Sequence, residues 1–168
     1  MMRVTGRAEP RIGWLHGLLG AVALGWATCI DTQATLLVQP DQPKASEIIE
    51  LVALARAGAG LPPFTVDPRL VDAAEFHNQW MRDNGCYDDE CPGEPDLGTR
   101  ILRRGYDYGG AGESILKELA SAEAVLSQWL IDPIDHGNIM LRGYVDIGCA
   151  YLDGPGGPWW TCVLARPL

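Results

Sequence analysis

The stretch VDIGCAYLDGPGGPWWTCVLA, residues 145–165, decides the fold class of this 168-residue chain. Two apolar, aromatic-rich segments, residues 146–152 and 159–165, flank the glycine- and proline-rich turn DGPGGP at 153–158. This pattern predicts a β-hairpin. If the register is symmetric about the turn, Cys149 lies directly opposite Cys162, and directly opposed cysteines are close enough to form a disulfide.

The first thirty residues differ in composition from the rest of the chain. Three arginines within the first eleven residues precede an uncharged apolar run at 12–30. A basic start followed by such a run is typical of a secretory signal peptide, and cleavage after Ala27 or Ala34 would leave a small residue at the cut. The run is nineteen residues long, so a retained membrane anchor is the alternative. Either alternative places the domain outside the cell, as a secreted or cell-envelope protein.

The domain organisation follows from these composition shifts. We assign residues 1–34 to the signal peptide or membrane anchor and its leader, and residues 35–45, with two Gln-Pro pairs, to an extended linker. Residues 46–168 then form one domain, which is long enough to bury a core of its own. After cleavage of the leader, no membrane-spanning segment is expected.

Cysteine usage predicts two disulfides. Of the five cysteines, Cys29 lies in the leader, and its loss leaves an even set of four in an oxidising compartment. Three connectivities are open to four cysteines. The hairpin favours Cys149 with Cys162, which leaves Cys86 with Cys91 across a short loop.

The charge of the chain excludes one class of partner. After residue 34 there are 20 acidic and 10 basic residues, a net charge of −10, and no basic stripe. Nucleic acids and anionic lipid headgroups are therefore poor electrostatic partners.

One helix can be placed with its two ends. Asp67-Pro68 combines an N-cap acceptor with a proline that suits the first helical position, and Asn84-Gly85 is a typical helix end. Between them an apolar stripe recurs at spacings of three and four, which is the helical period. The stripe consists of Leu70, Ala73, Ala74, His77 and Met81. Its position there predicts that His77 is a hydrogen-bonded core histidine and not a metal ligand.

The remaining segments are assigned more coarsely. Helical patterning runs from about Ser46 to Gly58, and Ser121 is a suitable cap for a further helix. Residues 111–116 suit either a strand or an irregular turn. Helices mixed with late, antiparallel strands predict the α+β class.

Several fragments, in order along residues 46–166, resemble the bacterial type of the CAP superfamily. This superfamily comprises the cysteine-rich secretory proteins, antigen 5 and the plant pathogenesis-related proteins. The fragments are LVALARAGAGLPPFTVDPRLVDAAEFHNQWM (51–81), AGES (111–114), AEAVLSQWLIDP (122–133), GNIML (137–141) and the final hairpin. The resemblance implies an α-β-α sandwich with a central antiparallel sheet. It also implies a surface cleft that in many members carries two histidines and two acids; some members bind divalent metal there, and others bind sterols or fatty acids elsewhere.

These four cleft positions are only partly retained. Glu113 in AGES matches the first acid, and Asp132, three residues after the tryptophan of AEAVLSQWLIDP, matches the second. Asp89 and Asp135 stand where the family has its histidines, and His136 follows one residue late. A shift of one residue turns a helical side chain by about 100°. The resemblance therefore implies a degenerate cleft.

A metal site in this cleft would consist mainly of oxygen ligands. The tentative set is Asp89, Glu113, Asp135 and His136, which suits calcium or magnesium better than zinc. No cofactor is expected, and a divalent cation is the alternative.

Structural roles compete with these chemical ones. Asp132 before Pro133 is a natural N-cap, and Asp135 lies where the acid of a capping box lies. Glu113 lies among small residues in a half-buried segment, where a carboxylate needs a partner. We expect that partner at the helix start near Asn138.

The leading hypothesis is a secreted binding module with a degenerate cleft, whose ligand is a small lipid or another protein. The alternative is a metal-dependent or hydrolytic enzyme that uses Glu113 and His136. No Ser-His-Asp or Cys-His spacing is present, and disulfides occupy the cysteines, so the sequence favours binding over catalysis.

Overall fold

The computed structural model describes residues 42–168, so the predicted leader at 1–34 and most of the linker at 35–45 lie outside the described residues. Five helices lie within this range: α1 (Gln42–Gly58), α2 (Pro68–Asn84), α3 (Leu97–Leu102), α4 (Ala122–Ile131) and α5 (Pro133–Met140). Four strands accompany them: β1 (Thr65–Val66), β2 (Tyr108–Lys117), β3 (Asp146–Leu152) and β4 (Trp159–Pro167).

The strands form one sheet in the order β1-β3-β4-β2. The predicted hairpin is present as β3 and β4, and Cys149 lies opposite Cys162 in its register. β2 adds to the far side of β4, also antiparallel. β1 departs from the expected antiparallel sheet, because its two residues pair parallel with Asp146 and Ile147 before the chain turns into α2.

Side chains alternate along β3 and β4 and build a core on each face of the sheet. Ile147, Cys149 and Trp160 lie on the face that packs against α1, α4 and α5. Ala150 and Val163 lie on the opposite face and pack against α2 and α3. Two helical layers thus enclose the sheet, which confirms the α+β class and the α-β-α sandwich.

α2 begins and ends where the sequence predicts. Asp67 accepts a hydrogen bond from the backbone N–H of Arg69, and Gly85 closes the helix with a left-handed φ of 61°. All five residues of the predicted stripe are buried. The helix lies so close to β3 that a Cβ on Gly148 would overlap the backbone of Leu70 and Val71.

The structure refines two of the assignments made from the sequence. α1 begins at Gln42, so the linker prediction is wrong for residues 42–45, which are helical. Pro43 does not prevent this, because a proline in the first helical turn costs no backbone hydrogen bond. Residues 111–116, whose sequence suits either a strand or an irregular turn, belong to β2.

Both predicted disulfides, Cys86–Cys91 and Cys149–Cys162, are present. Among the helices of residues 42–168, none is long and apolar enough to cross a membrane.

Candidate functional site at the edge of the sheet

Glu113 lies on β2, an edge strand, opposite Val163 of β4. Its side chain shares the face covered by α2 and α3, and 4% of it is exposed. Asn138 of α5 donates from Nδ2 to the Glu113 backbone carbonyl over 2.8 Å. Gly112 permits this approach, because a Cβ there would overlap the Asn138 side chain. Only the backbone of Glu113 makes this contact, and the Glu113 carboxylate has other partners, so the expectation that its partner lies near Asn138 is wrong.

Those partners form a buried ion cluster of His77, Glu94, Arg100 and Glu113. Arg100 donates from Nη2 to Glu113 Oε2 at 2.5 Å and from Nη1 to Glu94 Oε1 at 2.8 Å. His77 Nδ1 lies 2.7 Å from Glu94 Oε1, and its Nε2 lies 3.6 Å from Glu113 Oε2. The cluster therefore joins α2, α3, β2 and the connection before α3, and it confirms that His77 is a hydrogen-bonded core histidine.

The cluster has one fixed cation for two carboxylates, so it favours binding one further proton. Burial and the Arg100 charge lower the pKa of His77. Burial raises the pKa of Glu113 to about 7, although Arg100 opposes the rise. These directions place the extra proton on Glu113, whose second oxygen, Oε1, is buried without a hydrogen-bond partner in the described part of the chain.

Stability should therefore fall as the pH rises from about 4.3 through about 7, and the last part of this fall lies between pH 6.5 and 8. The folded state holds the Glu113 proton up to a pKa of about 7, whereas an unfolded glutamate releases it near about 4.3. A raised carboxyl pKa stabilises the fold fully below the unfolded value, and this stability is lost as the pH passes the folded value. The lowered pKa of His77 makes stability rise with pH instead, but only below the ordinary histidine pKa of about 6.5.

Urea unfolding at several pH values measures this slope. Glu113→Gln cannot titrate and should flatten the profile between pH 6.5 and 8. An unchanged slope in that variant, or a flat profile in the wild type, would contradict the assignment of the proton.

Two further acids and a phenol share the edge of the sheet with Glu113. Burial raises the pKa of Asp135 to about 6, the nearby Ser114 hydroxyl offsets part of the rise, and the charge of Asp89 adds to it. Burial also raises the pKa of Tyr87, with contributions from Asp135 and Asp89. The charge of Asp89 also raises the pKa of Glu113. We call Tyr87, Asp89, Glu113, Ser114 and Asp135 the β2-edge site.

His136 follows Asp135 on α5. Its side chain is exposed, and within residues 42–168 it makes neither a hydrogen bond nor an ion pair. The same residues include no group of three or more His, Cys, Asp or Glu side chains arranged to hold a metal ion. Asp89 acts electrostatically on both Glu113 and Asp135, and the tentative metal set stays a prediction.

Asp132 is the N-cap of α5. Its Oδ1 accepts from the backbone N–H groups of Ile134 at 2.8 Å and Asp135 at 3.1 Å. A capping box would require Asp135 to accept from the Asp132 N–H, but that group donates to the Gln128 carbonyl of α4. The capping-box interpretation of Asp135 is therefore wrong.

Asp132→Ala should lower the free energy of unfolding by about 0.5–2 kcal/mol, because two backbone donors lose their acceptor. His136→Ala, in the same helix, is the matched control and should change stability by less than about 0.5 kcal/mol. Chemical denaturation of the two variants checks both values. Equal losses would show that the Asp132 carboxylate does not cap the helix.

Sequence reasoning missed Glu94 and Arg100. Arg100 follows Leu97 by three residues and precedes the buried Ile101, so it lies on the apolar face of α3. An arginine in that position requires a buried acceptor, which is the signal that could have identified it. Glu94 has no comparable local signal, because only the fold brings it to His77.

Comparison with known proteins gives a family match over most of the domain. The model of the family described as "CAP: Cysteine-rich secretory protein family" matches residues 49–164. YkwD, an uncharacterized protein of Bacillus subtilis strain 168, is 28% identical over 115 residues, which are 68% of this chain and 44% of that protein. The chain thus spans less than half the length of this relative.

Solved structures share the fold. An extracellular protein containing a SCP domain from Bacillus anthracis strain Ames has a TM-score of 0.71 at 24% identity, covering 75% of this chain and 41% of that one. An outer surface protein from Borrelia burgdorferi has a TM-score of 0.71 at 14% identity, covering 76% and 95%. These structural similarities show the fold, and the family match covers more than half of the chain. This chain is therefore a member of the CAP superfamily, the cysteine-rich secretory protein family.

Proposed function

We propose that this CAP domain is an extracellular binding module that engages a protein partner at the β2-edge site. The extracellular location is supported by the predicted leader, by two disulfides and by relatives described as extracellular or outer-surface proteins. The observation that carries the binding role is the position of the Glu113 side chain within the ion cluster. Arg100 holds its carboxylate at 2.5 Å inside a buried cluster, which suits a structural group that shapes the site.

A protein partner suits the surface better than an enclosed lipid. A groove lined by residues of α1, α2, β1 and β3, among them Ile49, Val71 and Leu152, has a volume of about 160 Å³. Pockets for small molecules typically have about 300–1,000 Å³. A wider groove of about 380 Å³ between α2 and the end of α3 is lined by Asp72, Glu75, Phe76, Gln79, Arg103 and Arg104, which is too polar for a lipid chain.

The enzyme alternative has one observation in its favour. The pKa of Glu113 is raised to about 7, which suits a general acid or base, and its Oε1 has no partner in the described residues. The enzyme alternative also requires His136 to act with Glu113, but the His136 side chain is exposed and makes no hydrogen bond or ion pair within residues 42–168, whereas the Glu113 side chain is only 4% exposed. We therefore favour binding.

Site-specific photo-crosslinking tests the proposal. A crosslinking residue at Tyr87, in the β2-edge site, is compared with one at Val145, beside the opposite edge of the sheet; both positions are 43% exposed. Each variant is irradiated together with the extracellular fraction of the source cells. The Tyr87 variant should form a discrete protein adduct, and the additional substitution Asp135→Asn should reduce the yield of that adduct. The Val145 variant should form no adduct.

A parallel titration with a fluorescent fatty acid should show no saturable binding. Adducts at both positions, or at neither, would contradict the proposal that the partner binds at the β2-edge site. Saturable uptake of the fatty acid would contradict the choice of a protein partner.

A further inference from the structure

The two disulfides differ in their surroundings. Cys149 and Cys162 are each 1% exposed and join two paired strands in the main core. Cys91 is also buried, but Cys86 is only partly buried. The Cys86–Cys91 bridge closes a separation of 5 residues, against 13 for the other. In the chain-entropy account, the shorter loop contributes less stability to the bridge that closes it.

The loop between Cys86 and Cys91 consists of Tyr87, Asp88, Asp89 and Glu90, all exposed. Three adjacent carboxylates repel one another, so the closed loop is held together against its own charge. Other attachments are weak. Tyr87 Oη donates to the Ile115 carbonyl at 3.4 Å, and its ring lies 6.3 Å from that of Trp159. Lys117 Nζ lies 5.3 Å from the Tyr87 ring centroid.

Both ends of the loop are anchored independently of the disulfide. The Cys86 N–H donates to the Met81 carbonyl at 3.0 Å, at the end of α2. Three residues after Cys91, Glu94 is held by His77 and Arg100 in the buried ion cluster. Opening the bridge would therefore release the loop and leave the flanking fold in place.

We propose that Cys86–Cys91 is a reversible redox site: an external dithiol reduces it while Cys149–Cys162 stays oxidised, and reduction releases residues 87–90 from the edge of β2. The loop supplies Tyr87 and Asp89 to the β2-edge site, so its release dismantles one wall of that site. Partly exposed disulfides are in general more easily reduced than buried structural ones.

The reaction is ordinary thiol–disulfide exchange. A thiolate of the dithiol attacks the more accessible Cys86 sulfur, and Cys91 leaves as a thiolate that takes up a proton. The second thiol of the reagent then displaces Cys86 and forms the oxidised, cyclic reagent. The protein gains two electrons and two protons. The Asp88 carbonyl, 3.8 Å from Cys91 Sγ, is placed to accept the new S–H.

Dithiothreitol titration of the intact protein, followed by alkylation and peptide mapping, tests selectivity. Cys86 and Cys91 should be half-alkylated at a dithiothreitol concentration at least about tenfold lower than Cys149 and Cys162. Hydrogen exchange on the same samples tests the opening. Amides at 87–90 should exchange faster after reduction, whereas those of β3 and β4 should not change.

The double variant Cys149→Ala/Cys162→Ala provides an independent measurement, because only the loop disulfide remains. Its amides at 87–90 should respond to dithiothreitol as in the wild type. Alkylation of Cys149 or Cys162 first, simultaneous reduction of both bridges, or unchanged exchange at 87–90 after reduction would overturn the proposal.

Discussion

Arg100→Leu should lower the free energy of unfolding by about 3–5 kcal/mol, the usual loss when one partner of a buried ion pair is removed. Arg100 is fully buried and is the fixed cation between Glu94 and Glu113. Without it, the two carboxylates face each other in the core and at least one must bind a proton. The loss should be smaller at pH 5 than at pH 8, because at pH 5 Glu113 already carries its proton.

Arg103→Leu is the matched control for Arg100→Leu. Arg103 lies at the end of the same helix and is exposed, so its replacement should change stability by less than about 0.5 kcal/mol. Urea unfolding of both variants measures the difference. A loss below about 1 kcal/mol for Arg100→Leu would show that the cluster does not hold α3 to β2.

Arg56→Leu should be nearly as damaging, with a loss of about 2–5 kcal/mol, for a different reason. Arg56 is fully buried and pairs with backbone carbonyls: Nε donates to Pro62 at 2.8 Å, and Nη1 to Ile139 at 2.6 Å and Leu141 at 3.2 Å. Its guanidinium carbon also lies 3.8 Å from the Phe64 ring centroid. Leucine would leave buried carbonyls without a donor.

Arg56→Lys separates the charge from the geometry of the guanidinium. A single ammonium cannot reach acceptors on two sides as the planar fork does, so lysine should recover only a minor part of the loss. Arg142→Leu, at an exposed position, is the control. Thermal and urea unfolding check all three variants. Full recovery with lysine would show that the charge alone is sufficient.

The parts of the fold that could be predicted are those with local causes. Asp67-Pro68 and Gly85 fix α2 because cap and backbone preferences act within a few residues. Cys149 and Cys162 could be paired because the turn between them sets the register. The Gln-Pro pairs before Ser46 predict an extended linker, but a proline in the first helical turn is compatible with a helix, so α1 begins earlier, at Gln42.

The candidate site could be predicted only in part. Glu113 was identified from a short motif, but its partner Arg100 is thirteen residues away and lies on another element. Arg56 reaches carbonyls 83 and 85 residues further along the chain, and no local pattern indicates such contacts. The position of His136 depended on one residue of register, which periodicity alone does not fix.

The central claim is that Glu113 is a structural member of a closed ion cluster and that the β2-edge site works without a metal bound through His136. Thermal melts of the wild type, Glu113→Gln and His136→Ala, each with and without zinc, calcium and magnesium, test it most directly. We predict that Glu113→Gln melts at a lower temperature than the other two proteins, because a buried hydrogen-bonded carboxylate is lost, and that no ion raises any melting temperature. A metal-dependent rise in the wild type that disappears in both variants would contradict the account and make Glu113 and His136 ligands of one ion.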